Sequence, residues 1–421
     1  MVDQHPSMDI IGSSGNTLAG KKIVLAMCGS VGAVRCVDIA RLLMRQGAQV
    51  YPVMTQAATE LIAPELMEWA TGNKVVTRIS GAIEHVALAG NVPDNCDMVL
   101  VAPATANTVS KIACGIDDTP VTTVVTTALG QRIPVLIVPA MHEPMYRHPI
   151  VGRNIASLND AGIPVFVPPV SEGKAKIPSA ENVAAMVRVL MAFGGARPLS
   201  GKRVLVTAGR TIEYLDPIRV VSNNSSGRMG IALAQAASAL GAEVTLVLGK
   251  YAAALPDDVR IRHTESTQEM LDAVQEELQA SQVDVCLAAA AVNDWQAAAP
   301  ADHKVSTHSG NPYTIELEPT PKIIDGIKAV SPETFLVAFR AQSGFTAEQL
   351  RADALQRMKK AQADAIVAND VSAPGAGFES ATNAVTLVHS DGSHTELPLA
   401  EKLDIAIGIW QQLIPHLPVR K

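Results

Sequence analysis

The chain has 421 residues, 48% of them apolar and 18% charged, which is length for two or three domains with a core in each. A formal charge of −7 with no basic cluster excludes a nucleic-acid-binding surface, and no apolar run reaches the roughly 18 residues of a membrane span. Five cysteines (Cys28, Cys36, Cys96, Cys114, Cys286) with no C-x-x-C pair argue against a zinc site or disulfide framework and suit reduced thiols in a cytoplasm.

Residues 1–19 open on the polar MVDQHPSMDIIGSSGN, with no basic-then-apolar signal, and are expected to be a disordered tail. Lys22–Met27 is an apolar run of strand length. Cys28-Gly29-Ser30-Val31-Gly32 then turns into a helix with apolar positions at Val34, Val37, Ile39, Leu42 and Leu43, and Gln49–Met54 is the next strand. This unit implies a parallel sheet with a helix N-terminus near Gly29; lacking G-x-G-x-x-G, it fits phosphate binding and plain close packing alike. Further strands at 98–102, 134–138 and 165–167 and a helix from about Ala106 predict a doubly wound sheet, with ligands outside its carboxyl ends.

Three stretches lie at such ends. Residues 80–86 (SGAIEHV) carry His85, and a lone histidine is more often packed or solvated than catalytic. Residues 102–108 (APATANT) offer small residues for close backbone approach, with Thr105 and Asn107 able to bond a polar heterocycle; a helix cap is the plainer reading. Residues 139–146 (PAMHEPMY) form a proline-bracketed loop that reads equally as a rigid connector.

An alanine-rich helical segment leads to residues 194–200 (GGARPLS), the expected domain boundary. A strand at 203–207 then runs through a polar loop to Ser225-Ser226-Gly227, ahead of a helix over about 228–240. Free N–H groups and the helix dipole suit a phosphate or carboxylate there, and Asn223 and Asn224 add amide donors. A bare SSG also fits an ordinary capped helix. Glu243–Leu248 is a strand, 268–278 a helix and 283–289 a buried strand leading to Asp294 and a polar loop with Lys304. Pro319-Thr320-Pro321-Lys322, Val337-Ala338-Phe339 and an amphipathic helix Ala347–Ala361 follow; Lys359 and Lys360 complement the dipole at its end. A hairpin around Asp391-Gly392 and a last helix close the chain.

Residues 201–230, GKRVLVTAGRTIEYLDPIRVVSNNSSGRMG, resemble the opening of the phosphopantothenate–cysteine ligase family, with Arg210 where that family has a second glycine. The order AAVNDW, Lys304, PTPK and Phe339 continues the resemblance. It implies Asn223 holding an acyl-nucleotide, Lys304 as the cation at the α-phosphate, and Asp294 contacting the nucleotide or its Mg²⁺. Ser225, Ser226, Gly227, Ala290, Lys322, Phe339 and Lys360 are implied as substrate contacts.

The Gly29-Ser30 loop, His85, APATANT and PAMH together resemble the flavin-dependent cysteine decarboxylases. That resemblance implies FMN held by Gly29, Ser30, Val31, Thr55, Pro103, Ala104, Thr105 and Asn107, catalytic His85, and a substrate loop with His142 and Met145. His142 replaces the family's asparagine and Tyr146 its tryptophan. The flap cysteine is missing from SEGKAKIP (171–178), leaving Glu172, Lys174 or Lys176 to serve as the acid, with Lys174 favoured.

The expectation is an α/β chain: a flavodoxin-like, doubly wound FMN-dependent decarboxylase domain over 20–193, a linker over 194–200, and a Rossmann-like ligase domain over 201–421. It would join 4′-phosphopantothenate to cysteine with CTP and Mg²⁺, then decarboxylate the product with FMN. The residues themselves do not separate CTP from ATP. Resemblance further implies a homo-oligomer of trimeric decarboxylase and dimeric ligase units, joined into a dodecamer. The rival reading keeps the ligase and makes the first half a flavin-binding or electron-transfer module.

Overall fold

The computed structural model describes residues 5–166, 168, 170–306 and 313–418; of the expected features, Val167 and the first four residues of the expected tail lie outside them. The chain divides into two compact units, Met1–Arg197 and Pro198–Lys421.

In the first unit, β1 (Lys22–Met27), α1 (Cys36–Arg45) and β2 (Gln49–Met54) are followed by α2 (Gln56–Thr59), α3 (Pro64–Thr71) and α4 (Glu84–Ala89). Then come β3 (Met98–Ala104), α5 (Ala106–Ala113), α6 (Pro120–Gly130) and β4 (Val135–Pro139). The four strands make a parallel sheet in the order β2-β1-β3-β4, and Val165 bridges onto Ile137 of β4. All of β3 and all of β1 after Lys22 are buried, as strands covered on both faces must be. Past β4 lie β5 (Met141–His142), α7 (Glu143–Tyr146), α8 (Pro149–Asp160), β6 (Val170–Ser171), β7 (Lys174–Ala175) and α9 (Ala180–Ala192).

Two expectations are corrected here. Residues 5–19 are not a disordered tail: Pro6–Ile10 is a 3₁₀ turn, Leu18 is fully buried, and Thr17 Oγ1 donates to Gln46 Oε1 at 2.8 Å. Met8, Ile10, Ile11 and Leu18 are apolar residues in a polar stretch, and they gain cover from the fold. The helix after β1 also starts later than its apolar spacing suggests. Residues Val31–Arg35 form a 3₁₀ turn, so Val34 is 66% exposed, and the buried stripe is Cys36, Ile39, Ala40, Leu43 and Met44.

The second unit opens with β8 (Arg203–Ala208), the hairpin β9 (Ile212–Tyr214) and β10 (Val220–Ser222), then α10 (Arg228–Ala239), β11 (Glu243–Leu248) and β12 (Arg260–His263). It continues with α11 (Thr267–Ala280), β13 (Val285–Ala288), β14 (Trp295–Ala297), β15 (Leu317–Pro319) and α12 (Ile323–Val330). Last are β16 (Phe335–Gln342), α13 (Ala347–Ala361), β17 (Ala365–Asp370), β18 (Thr382–His389), β19 (His394–Glu401) and α14 (Lys402–Leu413). Its sheet runs β12-β11-β8-β13-β16-β17-β18-β19, parallel as far as β17 and antiparallel through the closing hairpin. Among the described residues no helix is long and apolar enough to cross a membrane.

Both sheets share one topological property. From β1 the chain moves outward to β2 and then returns to add β3 on the other side; from β8 it does the same with β11, β12 and β13. Each sheet therefore has a switch point where the loops after two neighbouring strands part and leave a crevice.

Candidate active sites

In the first unit the crevice lies between the ends of β1 and β3, and each of three strands ends in a hydroxyl side chain that caps the next turn. Ser30 accepts from Gly32 N at 3.4 Å, Thr55 Oγ1 from Ala58 N at 3.3 Å and Thr105 Oγ1 from Thr108 N at 3.3 Å. Cys28 N donates to Pro103 O at 3.2 Å and ties the two loops together. A Cβ on Gly29 would stand 2.5 Å from Ala57 Cβ, and one on Gly32 would stand 3.0 Å from Ile177 and 3.5 Å from Pro103. The Gly29 loop, the Pro103 segment and the 171–178 segment thus converge. Val31 is 77% exposed and Asn107 is exposed, so an apolar and a polar face stand open at the crevice.

His85 lies on α4, entered through Ile83 in the left-handed region at φ 48°. Glu84 is held below the usual carboxylate range by bonds from the Ser80 hydroxyl and the Ser80 N–H, which fixes this turn. His85 Nδ1 is buried without a hydrogen-bond partner. A buried ring nitrogen left unpaired fits a site completed by a bound group. The small sheet β5-β7-β6 sets His142 directly opposite Lys174, with Glu143 N donating to Gly173 O at 2.9 Å. The proline-bracketed loop and the segment lacking the cysteine are therefore one structure, which sequence spacing could not show. Glu172 and Lys176 pair with each other at 2.6 Å, leaving Lys174 as the exposed cation of that segment.

In the second unit a cavity of about 640 Å³ fills the switch point between β8 and β13. Asn223, Ser225 and Gly227 form one wall, 288–292 another, and Asp294, Lys322 and Phe339 lie across from them. Gly227 sits in the left-handed region at φ 75°, and a Cβ there would stand 3.1 Å from Gly209 Cα. A Cβ on Gly230 would stand 2.5 Å from Ala208 Cβ, so α10 packs hard on the end of β8. Arg210 Nη1 donates to Ser225 O at 2.7 Å; the departure from glycine braces the Ser-Ser-Gly turn. Asn223 Nδ2 donates to Val292 O at 2.9 Å and Ala291 O at 3.2 Å, so the amide nitrogen expected to meet a ligand instead ties the turn to the β13 end.

Six cations line this cavity (Arg228, Lys322, Arg340, Arg357, Lys360, Lys402) against one carboxylate, Asp294. Four of them are paired: Lys322 with Asp294, Arg340 with Asp353, and Arg357 and Lys360 with Asp325. Ala290 and Lys360 lie on the lining as expected, while Ser226 sits behind it with its hydroxyl on Phe378 O at 2.9 Å. Lys304 is not on the lining. It is exposed on a segment tied to the 215–219 turn through Val305, whose carbonyl accepts from Arg219 at 3.1 Å. Sequence reasoning missed Arg228, Arg340, Arg357, Asn369, Asn383 and Lys402. Arg228 directly follows the SSG turn and could have been found; the others come from strands and helices far along the chain.

The family model for the DNA/pantothenate metabolism flavoprotein C-terminal domain matches residues 199–416, and the Flavoprotein model matches residues 11–191. Coenzyme A biosynthesis bifunctional protein CoaBC of Thermococcus kodakarensis is 48% identical over 405 residues, covering 96% of this chain and 97% of its own. Proteins of the same name from Vibrio vulnificus and Bacillus subtilis are 36% and 34% identical, each over 94% of this chain and over 98% and 97% of theirs. With a family model on each unit and identity of this extent along nearly its whole length, the chain belongs to the bifunctional coenzyme A biosynthesis enzymes, a flavoprotein half followed by a ligase half.

Proposed function

We propose that this chain makes 4′-phosphopantetheine in two steps, ligation by residues 201–421 and decarboxylation by residues 20–193, with 194–200 as the linker. The observation that carries the reading is the excess of cations around the switch-point cavity of the second unit. A carboxylate is a poor acyl donor until its oxygen is on a phosphate, and that transfer gathers negative charge which such a wall stabilises. The 4′-phosphopantothenate carboxylate attacks the α-phosphate of CTP, pyrophosphate leaves, and the cysteine amine displaces CMP to form the amide. Asn223 orders the wall against which the acyl-nucleotide lies, and Ser225, Ser226, Gly227 and Ala290 shape that wall. Lys322, Phe339 and Lys360 flank the nucleotide. The role of Lys304 at the α-phosphate is supported by motif order alone. Among the described residues no three acidic, histidine or cysteine groups gather as a resident metal site, so Mg²⁺ enters as the nucleotide's counter-ion with Asp294 beside it.

In the first unit, Gly29, Ser30, Val31, Thr55, Pro103, Ala104, Thr105 and Asn107 hold FMN. FMN bound there would supply a reversible two-electron acceptor for the cysteine moiety, the chemistry that a decarboxylation with no net redox change requires. His85 takes the thiol proton through the ring nitrogen that lacks a protein partner. His142 and Met145 contact the departing carboxylate's side of the substrate, and Lys174, opposite His142, returns the proton the missing cysteine would supply. We further infer a cytoplasmic homo-oligomer with trimeric decarboxylase and dimeric ligase units. The oligomeric reading rests on the family resemblance, and exposed apolar side chains such as Ile150 and Trp295 are compatible with association.

The test is to supply the protein with 4′-phosphopantothenate, cysteine, CTP, Mg²⁺ and FMN and read product masses. 4′-Phosphopantetheine is expected, and Lys174→Ala should accumulate the enethiol, lighter by two hydrogens. Arrest of the wild type at phosphopantothenoylcysteine would make the first half a flavin-binding or electron-transfer module.

A further inference from the structure

We propose that Lys402 is a phosphate-binding residue of the second unit's cavity, its ammonium and the Arg228 guanidinium together taking the oxygens of a substrate phosphate. The proposal rests on the ligase reading above and adds to it a residue from the far end of the chain.

Lys402 is the first residue of α14, is 6% exposed, and faces the cavity. Its Nζ donates to Phe378 O at 3.0 Å and Gly377 O at 3.5 Å. The same Phe378 carbonyl accepts from Ser226 Oγ at 2.9 Å, and Arg228 Nη1 donates to Glu379 O at 3.0 Å. Ser226 and Arg228 thus strap loop 377–379 to the Ser-Ser-Gly turn, and Lys402 ties the same loop to the start of α14. Carbonyl acceptors alone do not require a cation, since a hydroxyl or an amide serves them equally. They also leave the ammonium a third N–H.

The charges decide the matter. The four other cations on this wall each have a carboxylate. Among the described residues, Lys402 and Arg228 have none. Burying an ammonium without a counter-ion is costly, and burial, then the neighbouring Arg228, lowers the Lys402 pKa to about 8. A fold that keeps two neighbouring cations uncompensated at the mouth of a helix N-terminus is completed by an anion from outside. The anion is a phosphate group, supplied either by the nucleotide's polyphosphate or by the phosphate monoester of 4′-phosphopantothenate.

The experiment uses the full-length protein as Lys402→Gln, which keeps an N–H donor for Phe378 O but removes the charge, and as Lys402→Arg, which keeps the charge. Calorimetric titrations with CTP, inorganic pyrophosphate and 4′-phosphopantothenate are run separately, alongside KM and kcat. Binding should weaken about tenfold or more in the glutamine variant, mainly through KM, and be largely retained by arginine. Loss in the CTP and pyrophosphate arms identifies the polyphosphate as the source; loss in the 4′-phosphopantothenate arm identifies the monoester. Wild-type affinity of the glutamine variant in every arm overturns the proposal, as does equal loss in both variants, which marks a packing role. A wild type that binds none of these and forms no amide sinks the ligase reading together with it.

Discussion

At the scale of single residues, Gly29 and Gly230 do the same work in two unrelated sequences. Each lets two elements approach until a Cβ would stand 2.5 Å from an alanine Cβ: the loop after β1 against Ala57 of α2 in one case, α10 against Ala208 of β8 in the other. No side chain fits that gap, so Gly29→Ala must displace its loop at a cost of about 1–3 kcal/mol. The expected result is purified protein with most of its flavin absorbance lost and ligation unchanged; full flavin content would remove Gly29 from the FMN site. Neither approach distance was legible in the sequence, which showed only that glycines stood near strand ends. The Ser-Ser-Gly turn was legible because local chemistry specifies it. The pairing of His142 with Lys174 was not, because it is made across a sheet of two-residue strands that carry no periodicity.

Elements were legible where their ends carry a signal. α13 begins where Thr346 and Gln349 make a reciprocal capping box and ends at residues that suit the dipole, and its bounds follow from the residues alone. α1 lacks a side-chain cap and is preceded by a 3₁₀ turn, so counting by 3.6 from Val34 began too early. The hairpin β18–β19 carries something that no pattern reveals. His389, on β18, is buried with its ring 4.3 Å from that of His416, and burial, then this neighbour, lowers its pKa. An unfolded histidine titrates near 6.5, so below about that pH the unfolded chain binds more protons than the folded one and stability falls as pH falls. Urea unfolding of the second unit is expected to show a midpoint dropping between about pH 7 and pH 5, and His389→Phe should flatten that slope. An unaltered slope in the variant would assign the acid sensitivity to other groups.

At the scale of the molecule, the alternation of strands and helices predicts two α/β units, but not the order of their strands, which depends on contacts between segments far apart in sequence. That order matters most, because the switch points it creates hold both candidate sites. Among the described residues, one buried cluster of the first unit gathers Val24, Val53, Val101 and Ile137, and one of the second gathers Leu205, Val247, Cys286 and Ile366. Each unit is of a length that can stabilise a single domain. Cutting after Arg197 separates the cores and leaves each switch point whole. Residues 1–197 should therefore purify with FMN and release CO₂ from phosphopantothenoylcysteine, while residues 198–421 should form that amide from CTP, cysteine and 4′-phosphopantothenate without flavin. Mixing the fragments should restore the two-step conversion at a rate set by the slower fragment's turnover. Flavin bound by the C-terminal fragment, or amide formed by the N-terminal one, would reverse the assignment of chemistry to unit.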